Sequence, residues 1–254
     1  MHTTARIDTL KQALDDLRPV PPEVAAGLKK LFDVDFTYNS TAIEGNTFSF
    51  RETKILLQEG LTIGGKTMRE HLEIINHKEA IDYIEALSRK KPSDLHKTDL
   101  CNLHAIILKS IDAKHAGTYR AVPVYVQLSD GTNHRFCDPL KILDEMEAYF
   151  DWLIAENTAH PLIVAAEAHT RFVSIHPFID GNGRMTRLIM NLMLLQRGFI
   201  PVIIKHKDRT LYLDAIEEWQ QHNNKDPFYN LIITYEEERL EQYLHTIKNN
   251  ILWK

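Results

Sequence analysis

Apolar side chains recur along most of this chain at the spacing of three and four residues that an amphipathic α-helix requires. Leu28, Phe32 and Phe36 follow one another at intervals of four, and they predict one apolar face on a helix that begins at Pro21 and Pro22. A proline is tolerated in the first helical turn because its missing N–H would have no partner there. Helix is therefore the dominant secondary structure that the pattern predicts.

Two capping boxes mark the starts of further helices. Residues 49–52 (Ser-Phe-Arg-Glu) predict a helix that ends near Gly60, and residues 67–70 (Thr-Met-Arg-Glu) predict a longer one that ends near Leu87. Gly45 is a suitable end for the helix that begins at the two prolines. Other periodic segments predict helices over residues 4–17, 98–110, 139–154, 161–174 and 184–197, and two or three more in the C-terminal tail.

One segment carries a convincing strand pattern. Val122, Val124 and Val126 alternate with other residues, the turn sequence Ser-Asp-Gly-Thr follows at 129–132, and residues 134–137 return. The predicted fold is therefore all-α, mainly helical, with one small β-hairpin. The stretch Lys-Lys-Pro-Ser at 90–93 predicts a connection between an N-terminal helical region (1–93) and a core with C-terminal helices (94–254).

Composition and charge narrow the classes of protein. The chain has 254 residues, 44% of them hydrophobic and 26% charged, with a net charge of -5, which is typical of a globular protein and disfavours nucleic acid as a partner. No apolar run reaches the roughly 18 residues of a membrane span, and the N-terminus lacks the apolar stretch of a signal peptide. Cys101 and Cys137 are far apart in sequence and fit reduced thiols, so a cytoplasmic location without a membrane partner is expected.

The segment 176–187, His-Pro-Phe-Ile-Asp-Gly-Asn-Gly-Arg-Met-Thr-Arg, lies between two predicted helices and is called the anion loop here. Pro177 disfavours a helical conformation at His176, so the first helix should end there. Gly181 and Gly183 allow a tight turn and close approach of a ligand to the backbone. The next helix then begins with free N–H groups, which together with the helix dipole form an anion site.

Charged and titratable side chains complete this segment. Arg184 and Arg187 are three residues apart, so both guanidinium groups lie on one side of the first turn, an arrangement that suits a polyphosphate. Asp180 would be repelled by phosphates unless a cation such as Mg²⁺ stood between them. His176 titrates near neutral pH and could accept a proton from an attacking hydroxyl. The combination favours phosphoryl or nucleotidyl transfer.

Each feature has an ordinary structural interpretation when taken alone. A histidine before proline usually ends a helix, a Gly-x-Gly pair usually makes a turn, and two arginines three residues apart usually lie on a solvated face. Their joint occurrence within one short segment is much rarer, and the chain carries no Gly-x-x-x-x-Gly-Lys-Ser/Thr motif that would bind phosphate elsewhere.

The anion loop resembles the signature of the Fic family, His-Pro-Phe-x-Asp/Glu-Gly-Asn-Gly-Arg-x-x-Arg, at every specified position, and residues 166–175 look like the helix that precedes it. The resemblance implies transfer of AMP from ATP, with Mg²⁺, to a Ser, Thr or Tyr hydroxyl of a target protein, with automodification expected as well. It implies His176 as the catalytic base and Asp180 as the metal ligand. The phosphate-binding residues that it implies are Gly181, Asn182, Gly183, Arg184 and Arg187.

A second motif, Ser-Thr-Ala-Ile-Glu-Gly at residues 40–45, is similar to the inhibitory sequence of the family. Taken alone it is an ordinary helix end. The resemblance implies an inhibitory set of Ser40, Glu44 and Gly45 in which Glu44 pairs with Arg187 and blocks the place of the γ-phosphate. As an alternative, the same glutamate could position water to remove AMP from a modified target.

Two further segments have counterparts in the family. Residues 122–137 occupy the position of its flap, whose strand edge would align an extended target segment; a purely structural hairpin is the alternative. Residues 208–212 resemble the segment that caps the nucleotide base, so Tyr212 is a candidate wall for adenine, with a core aromatic as the equal alternative. Trp219 stands where relatives often have asparagine, which leaves the nucleotide preference open.

Three functions therefore compete. AMP transfer leads; a nucleotide-binding regulatory protein without turnover is second, although the intact His176 and Asp180 argue against it. A DNA-associated regulator is third, and it is not expected because no basic cluster is present and the chain ends at Lys254, without room for the winged helix that some longer relatives carry. A homodimer that influences Glu44 stays open, and the target protein is not readable from the sequence.

Overall fold

The computed structural model describes residues 4–155 and 158–251. Ten α-helices and one two-stranded antiparallel sheet make up its regular structure, which confirms the predicted fold class. The two strands are β1 (Tyr125–Gln127) and β2 (Asn133–Arg135). In chain order the helices are α1 (Ala5–Asp15), α2 (Pro22–Ile43), α3 (Phe50–Glu59), α4 (Met68–Leu87), α5 (Lys97–Ile107), α6 (Ile142–Ile154), α7 (Pro161–Ile175), α8 (Asn182–Gln196), α9 (Arg209–His222) and α10 (Asp226–Ile251).

Helix starts and ends follow the local chemistry that the sequence predicted. Both capping boxes form: the Ser49 hydroxyl accepts the Glu52 N–H at 3.2 Å, while the Glu52 carboxylate accepts the Ser49 N–H at 2.7 Å. The equivalent pair at the start of α4 is also complete. Gly45 follows the end of α2 at a φ of +98°, a conformation that residues with a side chain rarely adopt.

The hairpin is shorter than predicted. Its strands pair in a register that sets Val126 opposite His134, and β1 begins at Tyr125 rather than at Val122. Pro123 lacks the N–H that a longer ladder would need, which explains why the first valine of the pattern lies outside the strand.

The centre of the fold is the pair α7 and α8, which pack along each other, with α4 and α5 also in contact with α8. Most of α8 is buried, including Asn191, whose side-chain amide binds both the N–H and the carbonyl of Val202 at 2.8 and 2.9 Å. One hydrophobic core contains residues of α1, α2 and α4 together with those of α7, α8 and α10. This core includes residues from both sides of residue 93, and the division of the chain into two regions there stays a prediction. Within the described ranges no helix is both long and apolar enough for a membrane span.

Candidate active site

His176 stands at the junction of α7 and the anion loop. The helix ends at Ile175 as predicted, but His176 adopts a left-handed conformation (φ 53°, ψ 58°) instead of the extended one favoured before proline. Its N–H donates to the Phe172 carbonyl at 3.0 Å, which completes a left-handed cap. The imidazole stacks on the Phe136 ring at a centroid distance of 3.9 Å. Burial lowers the pKa of His176 to about 4, so the ring is neutral near pH 7, as a general base must be.

Arg120 holds this residue in place. Its guanidinium, 3% exposed, donates to the His176 carbonyl at 2.7 Å and to the carbonyls of Val122 and Cys137 at 2.8 and 2.6 Å. Its own N–H donates to the carbonyl of Pro177 at 2.9 Å. One buried side chain thus joins both ends of the hairpin to the loop that carries the histidine. Arg120 could not be predicted from the sequence, because nothing in the local pattern distinguishes it from a surface arginine.

We expect Arg120→Lys to slow the chemistry at this loop by a factor on the order of 10 to 100, because displacing a reacting group by about 1 Å can cost that much. An ammonium group cannot reproduce the planar fork that binds several carbonyls at once. Nucleotide affinity should change little, because Arg120 contacts none of the residues predicted to bind phosphate. The check is to measure single-turnover rate and nucleotide affinity separately, with Arg51→Lys on exposed α3 as the control. An equal loss in both quantities would contradict a positioning role.

The end of the anion loop at the start of α8, where phosphate binding is predicted, is built from backbone and buried side chains. Gly181 precedes α8 at a φ of +81°, and the first N–H groups of α8 lie at this end without helical partners. The Asn182 side chain is 2% exposed, accepts the Phe178 N–H at 3.0 Å and donates to the Phe178 carbonyl at 2.8 Å. The role of Asn182 in phosphate binding stays a prediction: in this structure its side-chain amide closes the loop, and its backbone N–H is the group left for an anion.

Asp180 carries the carboxylate of the loop. Its Oδ1 accepts from the Gly181 N–H at 2.6 Å and from Arg184 at 3.3 Å, and its Oδ2 accepts from Arg69 at 2.7 Å. Its carbonyl accepts a hydrogen bond from His104 Nε2 at 3.0 Å, and burial lowers the pKa of that histidine to about 4, which keeps it neutral. The loop backbone at Asp180 is thereby fixed, while the carboxylate side chain stays 43% exposed.

This carboxylate fits a metal that is shared with a ligand. In the parts of the chain that the structure describes, no group of three or more His, Cys, Asp or Glu side chains could hold a metal by itself. Asp180 offers a single accessible carboxylate that already accepts a positive group, the guanidinium of Arg69. Mg²⁺ is commonly held by one or two carboxylates plus phosphate oxygens and water. The donor set therefore suits Mg²⁺ only together with a polyphosphate.

Arg187 and the segment at the end of α2 form the opposite side of the cleft. Arg187, 1% exposed, donates to the Ser40 hydroxyl at 2.9 Å, to the Ser40 carbonyl at 2.7 Å and to Glu44 Oε1 at 2.7 Å. Glu44 retains 39% exposure and leans over Gly183, where an added Cβ would lie 2.2 Å from its Oε1. Glycine at 183 is thus what lets the Glu44 carboxylate reach Arg187. Gly45 comes directly after Glu44, which caps the end of α2.

The cleft between these groups has a volume of about 270 Å³. Tyr212 is 2% exposed, and its hydroxyl lies 2.8 Å from His169 Nε2 and 3.4 Å from Arg187, so the ring belongs mainly to the core and supports the arginine. Its role as a wall for adenine stays a prediction. Trp219 lines a separate cleft of about 650 Å³, and the next residue, Gln220, lines the smaller one beside Leu213. The nucleotide preference therefore stays open.

The hairpin covers one side of the same cleft. Ser129 at its turn donates to the Glu217 carboxylate through its hydroxyl at 2.8 Å and its N–H at 3.2 Å, and His134 contacts Gln221 at 3.0 Å. Within the described residues β1 pairs with β2 alone, so its outer edge carries no further strand. The exposed Tyr125 lies on β1, next to the cleft that contains His176.

Comparisons with known proteins agree on one family. Residues 94–194 match the model of the Fic/DOC family. A protein adenylyltransferase Fic from Nematostella vectensis is 31% identical over 94% of this chain and 55% of its own length; one from Culex quinquefasciatus is 33% identical over 94% and 47%. The chain therefore spans about half the length of these relatives.

Solved structures give the same result for the fold. A Fic domain containing signalling protein from Bacteroides thetaiotaomicron has a TM-score of 0.89 at 26% identity, and the similarity covers 96% of this chain and 97% of that one. A glutamate-to-glycine variant of Fic-1 from Caenorhabditis elegans has a TM-score of 0.85 at 27% identity, covering 97% of this chain and 73% of that one.

Proposed function

The chain belongs to the Fic/DOC family, and we propose that it is a self-inhibited protein adenylyltransferase that transfers AMP from Mg-ATP to a hydroxyl of a protein. The observation that carries the proposal is that His176 and Arg187 line one cleft at the start of α8, while Asp180 of the same loop is bound to Arg184. The names of the animal relatives support the type of reaction.

In the proposed reaction a neutral ring nitrogen of His176 accepts the proton of the target hydroxyl as its oxygen attacks the α-phosphorus of ATP. The new bond joins the target oxygen to phosphorus, the bond between the α-phosphorus and the bridging oxygen breaks, and pyrophosphate leaves. Arg184 and the N–H groups at the start of α8 would bind the phosphates. Asp180 would hold Mg²⁺, which would supply neutralisation of phosphate charge.

Self-inhibition is proposed from the contacts of Arg187. In the present arrangement its guanidinium is bound by Ser40 and Glu44 and cannot bind a γ-phosphate. A carboxylate in the same cleft would also repel the triphosphate. ATP would therefore bind in a pose unsuited to in-line attack until Glu44 moves away.

Target binding is proposed along the hairpin. The outer edge of β1 has backbone groups that could pair with an extended segment of a target, because a strand edge recognises main chain rather than particular side chains. The edge borders the cleft at Val126, so a Ser, Thr or Tyr of such a segment could reach His176.

The low pKa of His176 makes the rate nearly independent of pH in the neutral range. The base is active when unprotonated, so a pKa of about 4 keeps transfer constant from pH 8 to 5, with a fall only below that. The Glu44 charge raises this pKa, so loss of that charge in Glu44→Gly should by itself move the fall to lower pH. Single-turnover automodification of that variant over pH 5 to 8 is the check. A tenfold loss per pH unit beginning near 6.5 would contradict an enclosed base.

Mass spectrometry of the protein after incubation with Mg-ATP tests the proposed function. A gain of one AMP on the protein itself or on an added protein is expected, and it would exclude a nucleotide-binding regulator without turnover. Stable nucleotide binding without any gain in mass, even after Glu44→Gly, would favour that regulator instead.

Removal of AMP from a modified target is a second candidate function, because the partly exposed Glu44 carboxylate lines the same cleft as His176 and could orient water there. Incubation with a target already modified by AMP tests it. Release by the wild type that is lost in Glu44→Gly would support hydrolysis, and equal release by both proteins would remove it.

A further inference from the structure

Arg69 enters the proposed active site from the N-terminal helical region. It lies in the first turn of α4, and its terminal nitrogen donates to Asp180 Oδ2 at 2.7 Å. Its Nε donates to Glu73 Oε1 at 3.1 Å, which orients the guanidinium toward the loop. The other carboxylate oxygen of Asp180 is already bound by the Gly181 N–H and by Arg184. Arg69 thus binds the carboxylate oxygen that the loop itself leaves unbound.

Resting on the proposed function, we propose that Arg69 is a binding residue of the nucleotide site: it is the counter-ion of Asp180 when no divalent metal is present. When a divalent metal is added, it has to compete with the Arg69 guanidinium for Asp180 Oδ2. The motif at 176–187 does not contain this group, and nothing in its sequence indicated one.

The electrostatics of the site give this contact a consequence for binding. A lone carboxylate beside phosphates repels them, and a cation at that carboxylate removes the repulsion. Arg69 supplies one positive charge without a metal, so nucleotide can bind in the metal-free state. Mg²⁺ supplies two charges but has to displace a like-charged guanidinium. Arg69 therefore favours the metal-free complex and opposes the metal-bound one.

The exposure of the Arg69–Asp180 pair allows a metal to displace the guanidinium. The side chains of Arg69 and Asp180 are 58% and 43% exposed, so water screens their attraction and the pair is easily opened. Glu73 is more enclosed, at 16%, and also accepts a hydrogen bond from Asn46 at 2.9 Å. The contacts therefore run from Asp180 through Arg69 and Glu73 to Asn46. Asn46 follows Gly45, so this series of hydrogen bonds ends at the turn that carries Glu44.

The test is the affinity for ADP, with and without Mg²⁺, of Arg69→Gln against its parent, both in the Glu44→Gly form so that Arg187 is free. In EDTA we expect Arg69→Gln to bind ADP about two- to fivefold more weakly, the range of an exposed ion pair. With saturating Mg²⁺ it should bind equally well or more tightly. The dissociation constant in EDTA divided by that in Mg²⁺ is therefore expected to be larger for Arg69→Gln than for its parent. Arg69→Lys, which keeps the charge, should lie between, and Arg51→Gln on exposed α3 should change neither value.

Opposite signs separate this role from a structural one. A residue that merely stabilised the loop would weaken ADP binding by the same factor in EDTA and in Mg²⁺, and that result, or no change in either, would overturn the proposal. An unchanged ratio with clear Mg²⁺-dependent binding would leave the proposed function intact and remove only the role of Arg69. If neither protein bound ADP under either condition, both proposals would fail.

Discussion

Replacing His176 with alanine is expected to abolish AMP transfer, with a loss of about 10² to 10⁴ in rate, the usual contribution of a general base. The imidazole is the side chain of the anion loop best suited to accept the proton, since the arginines are permanently charged and Asp180 is proposed to hold the metal. Its ring is fixed by the Phe136 stack and by the bond from Arg120 to its carbonyl. Neither contact touches the groups proposed to bind phosphate.

Nucleotide binding should therefore survive the change. The measurement is single-turnover transfer by His176→Ala in the Glu44→Gly form, with ADP affinity determined on the same preparation. His222→Ala, an exposed histidine at the end of α9, is the matched control and should keep the full rate. Transfer by His176→Ala within threefold of its parent, with ADP bound normally, would remove the histidine from the mechanism.

Glu44→Gly is expected to raise transfer about 10- to 100-fold, because a hydrogen bond to a charged group contributes about 1.5–3 kcal/mol and each 1.4 kcal/mol is a factor of ten. Glu44 holds Arg187 at 2.7 Å inside the cleft, so the γ-phosphate has to replace this carboxylate. Once it is gone, a buried guanidinium is left with only neutral partners, Ser40 and Tyr212. Such a cation favours binding of an anion.

Thermal unfolding gives an independent readout of the same change. Without nucleotide, Glu44→Gly should unfold at a lower temperature than the wild type, because an enclosed charge has lost its partner. ATP should stabilise the variant more than the wild type. Glu44→Gln, which keeps the volume over Gly183 and removes the charge, is the control and should lie between the two. Equal low transfer by the wild type and Glu44→Gly, with ATP shown to bind both, would contradict self-inhibition.

Much of this arrangement could be predicted because its determinants are local in sequence. The capping residues Ser49 and Thr67 start their helices through bonds that span only three residues, so the motif itself suffices. The anion loop is likewise contiguous, which allowed its histidine, carboxylate and arginines to be named as candidates without a structure. Glu44 was found only because its own motif is recognisable at a distance from the loop.

Other determinants are contacts between distant segments and leave no local signal. Arg120 and Arg69 act on the loop from other elements, and each looks like an ordinary surface arginine in sequence. Asn182 lies in the motif, but the bonds of its side chain to Phe178 depend on how the loop closes. Gln220, which lines the cleft of His176, was not considered, because neighbouring residues on a helix face different clefts and sequence spacing does not fix that rotation.

Transfer from ATP labelled at either the α- or the γ-phosphate shows which group becomes attached to protein and whether His176 is needed for it. The two proteins to compare are Glu44→Gly and Glu44→Gly combined with His176→Ala. We expect that label from the α-phosphate alone becomes attached to protein, that pyrophosphate is released in equal amount, and that the double variant attaches almost none. Attachment of the γ-label, or equal attachment of the α-label by both proteins, would contradict this expectation.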